Sequence, residues 1–221
     1  MIDIVIPLGS GSHWHDNELR LALRSVQKNV SNYRNVIIVG RLPKWCKNVQ
    51  HVPFTETQRG NPDLNIMLKI MEAFKIVDKM FFMNDDHYIM EPIDASAYPY
   101  YYDAKLSDTL SRRGLNAYGK RIFNTLEHLA LNRLPCLHYD IHCPIIYKKE
   151  DFVNRMANIN FTKGYIIKSL YANHETNIFK MQDAKSNKIP NPVQVFSSYP
   201  HIPVKVQNWL FTQFPNKSIY E

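Results

Sequence analysis

Cysteine is scarce in this 221-residue chain: Cys46, Cys136 and Cys143 leave an odd count and no Cys-x-x-Cys pair. A disulfide framework and a structural zinc site are therefore not expected. Seven glycines are too few for a collagen-like or glycine-rich disordered chain. The one glycine-rich loop, Gly9-Ser10-Gly11-Ser12, has neither a Gly-Lys-Ser/Thr ending nor a Gly-x-Gly-x-x-Gly spacing, so it is no standard phosphate loop. No run approaches the roughly 20 apolar residues of a membrane span. The opening Met1-Ile2-Asp3-Ile4-Val5-Ile6 also lacks the charged and long apolar regions of a signal peptide. A soluble, cytoplasmic protein is the expectation. Acidic residues are in deficit, 20 against 27 Lys plus Arg, for a formal charge of +7. That excess predicts an anionic ligand or partner: a nucleotide, a phosphosugar, a nucleic acid or an anionic surface.

What is present is a sizeable core. Hydrophobic residues make up 45% of the chain and aromatics 12%, at a length that fits a single domain over 1–221. The first half, 1–95, alternates strand and helix patterns. Asp3 to Leu8, Val36 to Val39, Val49 to Pro53 and Lys79 to Met83 read as buried strands. Between them, Leu19, Ala22, Leu23, Val26 and Val30 recur at helical spacing behind a cap at Asp16 or Asn17. Asn61-Pro62 opens a second helix carrying Leu64, Met67, Ile70, Met71 and Phe74. This alternation predicts an α/β fold with a mostly parallel sheet flanked by helices, whose ligands gather outside the carboxyl ends of the strands. In 96–221 the pattern is looser. It predicts a helix over Leu115, Tyr118, Ile122, Leu126 and Leu129, a strand at Pro144 to Tyr147 returning to the sheet, and a helix at Lys149 to Met156. Residues 182–203 read as a loop, and Val204 to Phe214 as a small closing helix.

Two constellations carry chemistry. Asn84-Asp85-Asp86 follows an apolar strand, where two adjacent carboxylates are costly to keep ionised without a cation or donors. A hard divalent ion, Mg²⁺ or Mn²⁺, explains them and would bridge a nucleotide diphosphate. The plainer alternative is an Asn-Asp-Asp turn that caps the next element. Continued strand alternation would point Asn84 and Asp86 one way and Asp85 the other. The segment His138-Tyr139-Asp140-Ile141-His142-Cys143-Pro144, if extended, sets His138, Asp140 and His142 on one face. They would act as metal ligands, as an acid/base pair, or simply as polar loop residues. The amides of Leu8, Gly9 and Ser10 would meet a nucleotide at the first strand's end. Trp14 would stack on its base or pack within the loop. Arg112-Arg113 with Lys120-Arg121 reads as a solvated helix face.

In order, these pieces resemble the Stealth family of sugar-1-phosphate transferases. The likeness rests on Ile2-Asp3-Ile4-Val5; on Asn17-Glu18-Leu19-Arg20-Leu21-Ala22-Leu23-Arg24-Ser25-Val26 with Val36 to Val39, Leu42-Pro43-Lys44-Trp45 and Phe82 to His87; on His142-Cys143-Pro144; and on Phe214 to Glu221. The resemblance implies a nucleotide-sugar fold of the glycosyltransferase-A kind, with 1–95 holding the nucleotide and 96–221 the acceptor. It implies Asp85 and Asp86 at the metal and diphosphate, His142 near the reacting group and Arg24 on the nucleotide. Two departures stand out: an Asn-Asp pair is replaced near Phe196-Ser197-Ser198, and only Lys163 or Lys168 stands where an arginine is expected. Holding a whole phosphodiester in line needs cations and dipoles at those places. The sequence therefore favours a metal-dependent glycosyltransferase, with Asp86, Asp140 and His142 catalytic and a glycan or a nucleic-acid base as acceptor. Sugar-1-phosphate transfer and a non-catalytic nucleic-acid-binding module on the same fold are the alternatives.

Overall fold

A computed structural model describes residues 1–57 and 61–221. Strand β1 (Ile2–Leu8) is buried at every position, so both of its faces are covered, as a continuous apolar run requires. Its one charge, Asp3, is 1% exposed and accepts hydrogen bonds from Arg34 and Asn35. Helix α1 (Asn17–Asn29) turns Leu19, Ala22, Leu23 and Val26 into the core. A short β2 (Val30–Ser31) precedes β3 (Tyr33–Gly40) and β4 (Gln50–Pro53). Helix α2 (Pro62–Ala73) starts as its sequence predicts: Asn61 Oδ1 accepts from the Leu64 N–H, with Pro62 in the first turn. Strand β5 (Lys79–Phe82) follows.

Strands β6 (His87–Ile89) and β7 (Ile93–Asp94) close the first half, and the second opens with β8 (Tyr100–Tyr102), β9 (Ala104–Lys105), α3 (Leu106–Arg113) and α4 (Ala117–Leu131). It continues with β10 (Leu137–His138), β11 (Ile145–Lys148), α5 (Lys149–Met156), α6 (Ile167–Ala172), β12 (Ile178–Lys180), β13 (Val195–Ser197) and α7 (Val204–Gln213). Helix α4 begins two residues later than Leu115, because Asn116 caps it by accepting from the Gly119 N–H. The stretch 182–203 is not wholly loop. Its Val195–Ser197 pairs antiparallel with His87–Ile89, because these residues are buried and their backbone groups need partners.

The central sheet runs β11-β5-β1-β3-β4. Strands β1, β3, β4 and β5 are parallel, and β11 joins antiparallel through Ile145↔Phe82 to Lys148↔Lys79. The chain leaves β1 for β3 and β4 on one side, then returns through α2 to place β5 on the other. The switch point of this Rossmann-like order lies between the carboxyl ends of β1 and β5, where such sheets bind ligands. Gly40, with φ +126°, ends β3 there. A Cβ on it would stand 2.0 Å from the Leu8 carbonyl oxygen, so only glycine fits. One apolar cluster runs from Ile2 through Phe81 and Tyr147 to Tyr220 and joins both halves. Among the described residues no helix is long and apolar enough to cross a membrane.

Candidate active site

At the switch point, β1 runs into the Gly9–Ser12 loop and β5 into Asn84-Asp85-Asp86. The strand stops at Phe82, and the tripeptide turns, with the His87 N–H donating to the Asn84 carbonyl at 3.2 Å. The turn overrides the expected alternation. Asp85 and Asp86 both line an open cleft of about 440 Å³ with Gly9, Ser10, Ser12 and Glu18. Asn84 lines a separate cavity of about 130 Å³ with Asp63, Asp140, His142 and Lys168.

The cleft gathers negative charge. Burial, then Asp86, Glu18 and Asp16, push the Asp85 carboxyl up to about 7. Glu18, 6% exposed, accepts from Ser12 Oγ at 2.8 Å. Asp86 accepts from Ser197 Oγ at 3.0 Å and has Lys185 Nζ 3.8 Å away. His87 sits beneath, 1% exposed. The Asn84 N–H donates to its Nδ1 at 3.3 Å, so the ring proton is on Nε2, 4.0 Å from Asp86 Oδ1 and without a hydrogen-bond partner. Burial, with Lys168, His142 and Lys185 nearby, lowers the pKa of this ring and keeps it neutral. His87 therefore does not neutralise the cluster.

Does this donor set fit a divalent cation? Among the described residues no group of three or more His, Cys, Asp and Glu forms a ligand cage. Magnesium does not need one: it is commonly held by one or two carboxylates together with substrate phosphates and waters. Asp85 and Asp86, clustered and under-neutralised, fit that mode.

Pairing of β11 with β5 carries Asp140–Cys143 alongside the Asn84 turn. His142 is held by Asp183, whose carboxylate accepts from its main-chain N–H and faces its Nδ1, each at 3.0 Å, leaving Nε2 unengaged. Lys168 Nζ braces the same loop by donating to the Ile141 and Cys143 carbonyls at 2.8 Å. Asp140 accepts from Tyr118 OH at 2.8 Å. His138 lies between that hydroxyl, at 3.0 Å, and Asp103, at 2.7 Å. The run is extended only at Leu137–His138 and then bends, so the three side chains do not share one strand face. They nevertheless open on one larger cavity of about 910 Å³. Nearby Asp63 is pushed up to about 6 by burial, Arg121 opposing and Asp140 adding to the shift.

Burial alone would raise the Asp183 carboxyl, but His142 and the amides of His142 and Lys185 bring it down to about 2. A depressed carboxyl stabilises the fold above its unfolded pKa of about 3.9 and loses that contribution as pH falls towards 2. Asp183→Asn is therefore expected to lower the melting temperature at pH 7, with the difference from wild type closing near pH 2. An equal stability gap at both pH values would contradict the pairing.

Other expected residues lie elsewhere. Leu8 is buried and, unlike Gly9 and Ser10, is not among the residues lining the cleft; its carbonyl accepts from Lys69 Nζ and the Arg41 N–H, each at 3.2 Å. Arg24 does not line the cleft: its guanidinium grips Glu221 and the Phe214 carbonyl. Trp14 packs edge-on against Phe211, with ring centroids 5.5 Å apart, as the packing alternative expects. Asp16 occupies the start of α1 in a left-handed conformation and makes no cap; its carboxylate pairs with Arg41. Arg121 pairs with Asp63, whereas Arg112 and Arg113 line the large cavity, so that basic stretch is not one solvated face. Sequence reasoning missed Asp183, Lys185 and Asp63. The first two sit in the aperiodic 182–203 stretch, and Asp63 was visible only as a helix-start residue.

Fold and site define an α/β protein whose acidic cleft lies at the switch point of a mostly parallel sheet. Neither the protein-family models nor the curated proteins contain a match to the chain.

Proposed function

We propose that this protein is a metal-dependent glycosyltransferase of the glycosyltransferase-A-like kind. It moves a sugar from a nucleotide-diphospho-sugar to an acceptor hydroxyl in the cytoplasm. The observation that carries the reading is the Asp85–Asp86 pair, facing the Gly9–Ser12 loop across a cleft at the switch point. The likeness to the Stealth family supports it from the sequence side.

In this reading Asp85 and Asp86 hold Mg²⁺ or Mn²⁺, which when bound offsets charge growing on the departing diphosphate. Ser197 orients the Asp86 carboxylate, and Gly9 and Ser10 border the nucleotide. The bond from the acceptor oxygen to the anomeric carbon forms as the bond from that carbon to the diphosphate oxygen breaks. The diphosphate leaves with the bonding pair. The acceptor proton passes to His142 Nε2, whose ring is steadied through Nδ1 by Asp183. Asp140 accepts from the acceptor's neighbouring hydroxyl or steadies the protonated base. Glycosyl transfer is favoured over sugar-1-phosphate transfer because Lys168, a stand-in for the missing arginine, is engaged by two backbone carbonyls.

Thermal melts with a panel of nucleoside diphosphates test the donor side. Stabilisation by one of them at saturating Mn²⁺ is expected, about 2.7 kcal/mol at a hundredfold excess over Kd, and EDTA is expected to abolish it. Stabilisation that is indifferent to EDTA would remove the metal from the account.

A further inference from the structure

The cavity of about 910 Å³ is lined by His142 and Asp140 but shares no lining residue with the acidic cleft, and its charged groups are engaged unevenly. Its three carboxylates are all engaged by histidine or tyrosine: Asp103 by His138, Asp140 by Tyr118 and Asp183 by His142. Its three permanent cations are not engaged by any carboxylate among the described residues. Arg112 touches only the Asp108 carbonyl and the Thr109 hydroxyl, at 3.3 and 3.2 Å. Arg113 rests over the Tyr118 ring, 5.9 Å from its centroid, and the exposed Lys180 ammonium has no partner among the described residues. Side chains that have three acids within the same wall and pair with none of them leave their charge to whatever enters.

We infer that this cavity binds the acceptor, and that the acceptor carries a phosphate held by Arg112, Arg113 and Lys180. The inference rests on the transferase reading and supplies its acceptor class. Guanidinium groups suit the task, since their planar donor fork matches phosphate geometry. Tyr118 sets the scale: one face of its ring meets Arg113, and its hydroxyl meets Asp140. The phosphate therefore sits on the same wall as Asp140, within the space that takes the acceptor. Phosphates of this kind come from a small phosphosugar or from the backbone of a nucleic acid.

Calorimetric titration of the full chain with glucose 6-phosphate, and separately with a short single-stranded oligodeoxynucleotide, tests the inference. At least one probe is expected to bind. The double substitution Arg112→Ala with Arg113→Ala is expected to weaken it tenfold or more, and Lys180→Glu to weaken it as well. These side chains are exposed at a helix end and on an edge strand, so the variants are expected to fold. Binding of the oligonucleotide alone, falling steeply with added salt, assigns the phosphate to a nucleic acid; binding of the sugar phosphate alone assigns it to a small acceptor. Binding of neither probe, or binding unmoved by both variants, overturns the inference. Nucleoside diphosphate with Mn²⁺ is titrated into the same samples. Loss of that signal in the wild type counts against the transferase reading, whereas retained donor binding in the arginine variant locates the failure in the acceptor cavity.

Discussion

Asp86→Ala is expected to lower sugar transfer by about 10³-fold while leaving the fold standing. The side chain is 20% exposed at a turn, and its contacts among the described residues are the Ser197 hydroxyl, a distant ammonium, Lys185, and the neutral His87 ring at 4.0 Å. Removing it creates no cavity in the core and strands no deeply buried charge, so the stability cost is expected to stay near 1 kcal/mol. The catalytic cost is larger because electrostatic groups aimed at developing charge are each worth about 10²–10³ in rate, and in the proposed function the same carboxylate also anchors the diphosphate. Asp86→Asn keeps the Ser197 hydrogen bond but loses the charge, and is expected to fall nearly as far. Steady-state rates alongside thermal melts separate the two effects. A variant with wild-type turnover would return the tripeptide to the role of an ordinary turn.

Arg24→Ala is expected to act in the opposite way, costing about 2 kcal/mol of stability and leaving nucleotide affinity unchanged. The Arg24 side chain is 9% exposed and Glu221 is 2% exposed. Their guanidinium and carboxylate meet through two bonds, Nε to Oε1 at 2.6 Å and the second terminal nitrogen to Oε2 at 2.9 Å. Arg20 adds a third contact to Glu221 at 3.1 Å and lies over the Trp45 ring. Truncating Arg24 removes two of the three guanidinium bonds to the Glu221 carboxylate and the donor to the Phe214 carbonyl, leaving Arg20 as the carboxylate's one remaining cation among the described residues, which is a costly way to break such a cluster. Burial would raise the Glu221 carboxyl, but Arg24 and Arg20 hold it below its ordinary range. Its contribution is therefore present at neutral pH and lost as pH falls below that range. Chemical denaturation with and without nucleoside diphosphate measures both quantities. A stable variant that no longer binds nucleotide would restore the role that family resemblance assigns to Arg24.

Parallel strands and their helices were readable because burial on both faces writes itself as unbroken apolar runs, such as Ile4-Val5-Ile6 and Val36 to Val39. Helix α2 was readable because a single side chain, Asn61, caps it from within the local sequence. The Asn84-Asp85-Asp86 sequence offers a turn as one alternative, but not its consequence: both acids face one cleft, because the strand ends one residue earlier than the apolar pattern does. Asp183 and Lys185 could not be read, since they reach His142 and Asp86 across the fold from a segment without a period. The Arg24–Glu221 clamp was hidden for the same reason, with its two halves 197 positions apart. Motif likeness marked both residues, and only geometry separates a fold clamp from a ligand contact.

The most direct test of the central claim is a donor screen. Purified protein with Mn²⁺ or Mg²⁺ is incubated with a panel of nucleotide sugars, with and without EDTA, and the released nucleotide is identified by mass spectrometry. Metal-dependent release of a nucleoside diphosphate from one donor, lost in Asp86→Ala, is the predicted result. Release of a nucleoside monophosphate would instead make the protein a sugar-1-phosphate transferase, and release that survives EDTA and Asp86→Ala would contradict the role given to the acidic cleft.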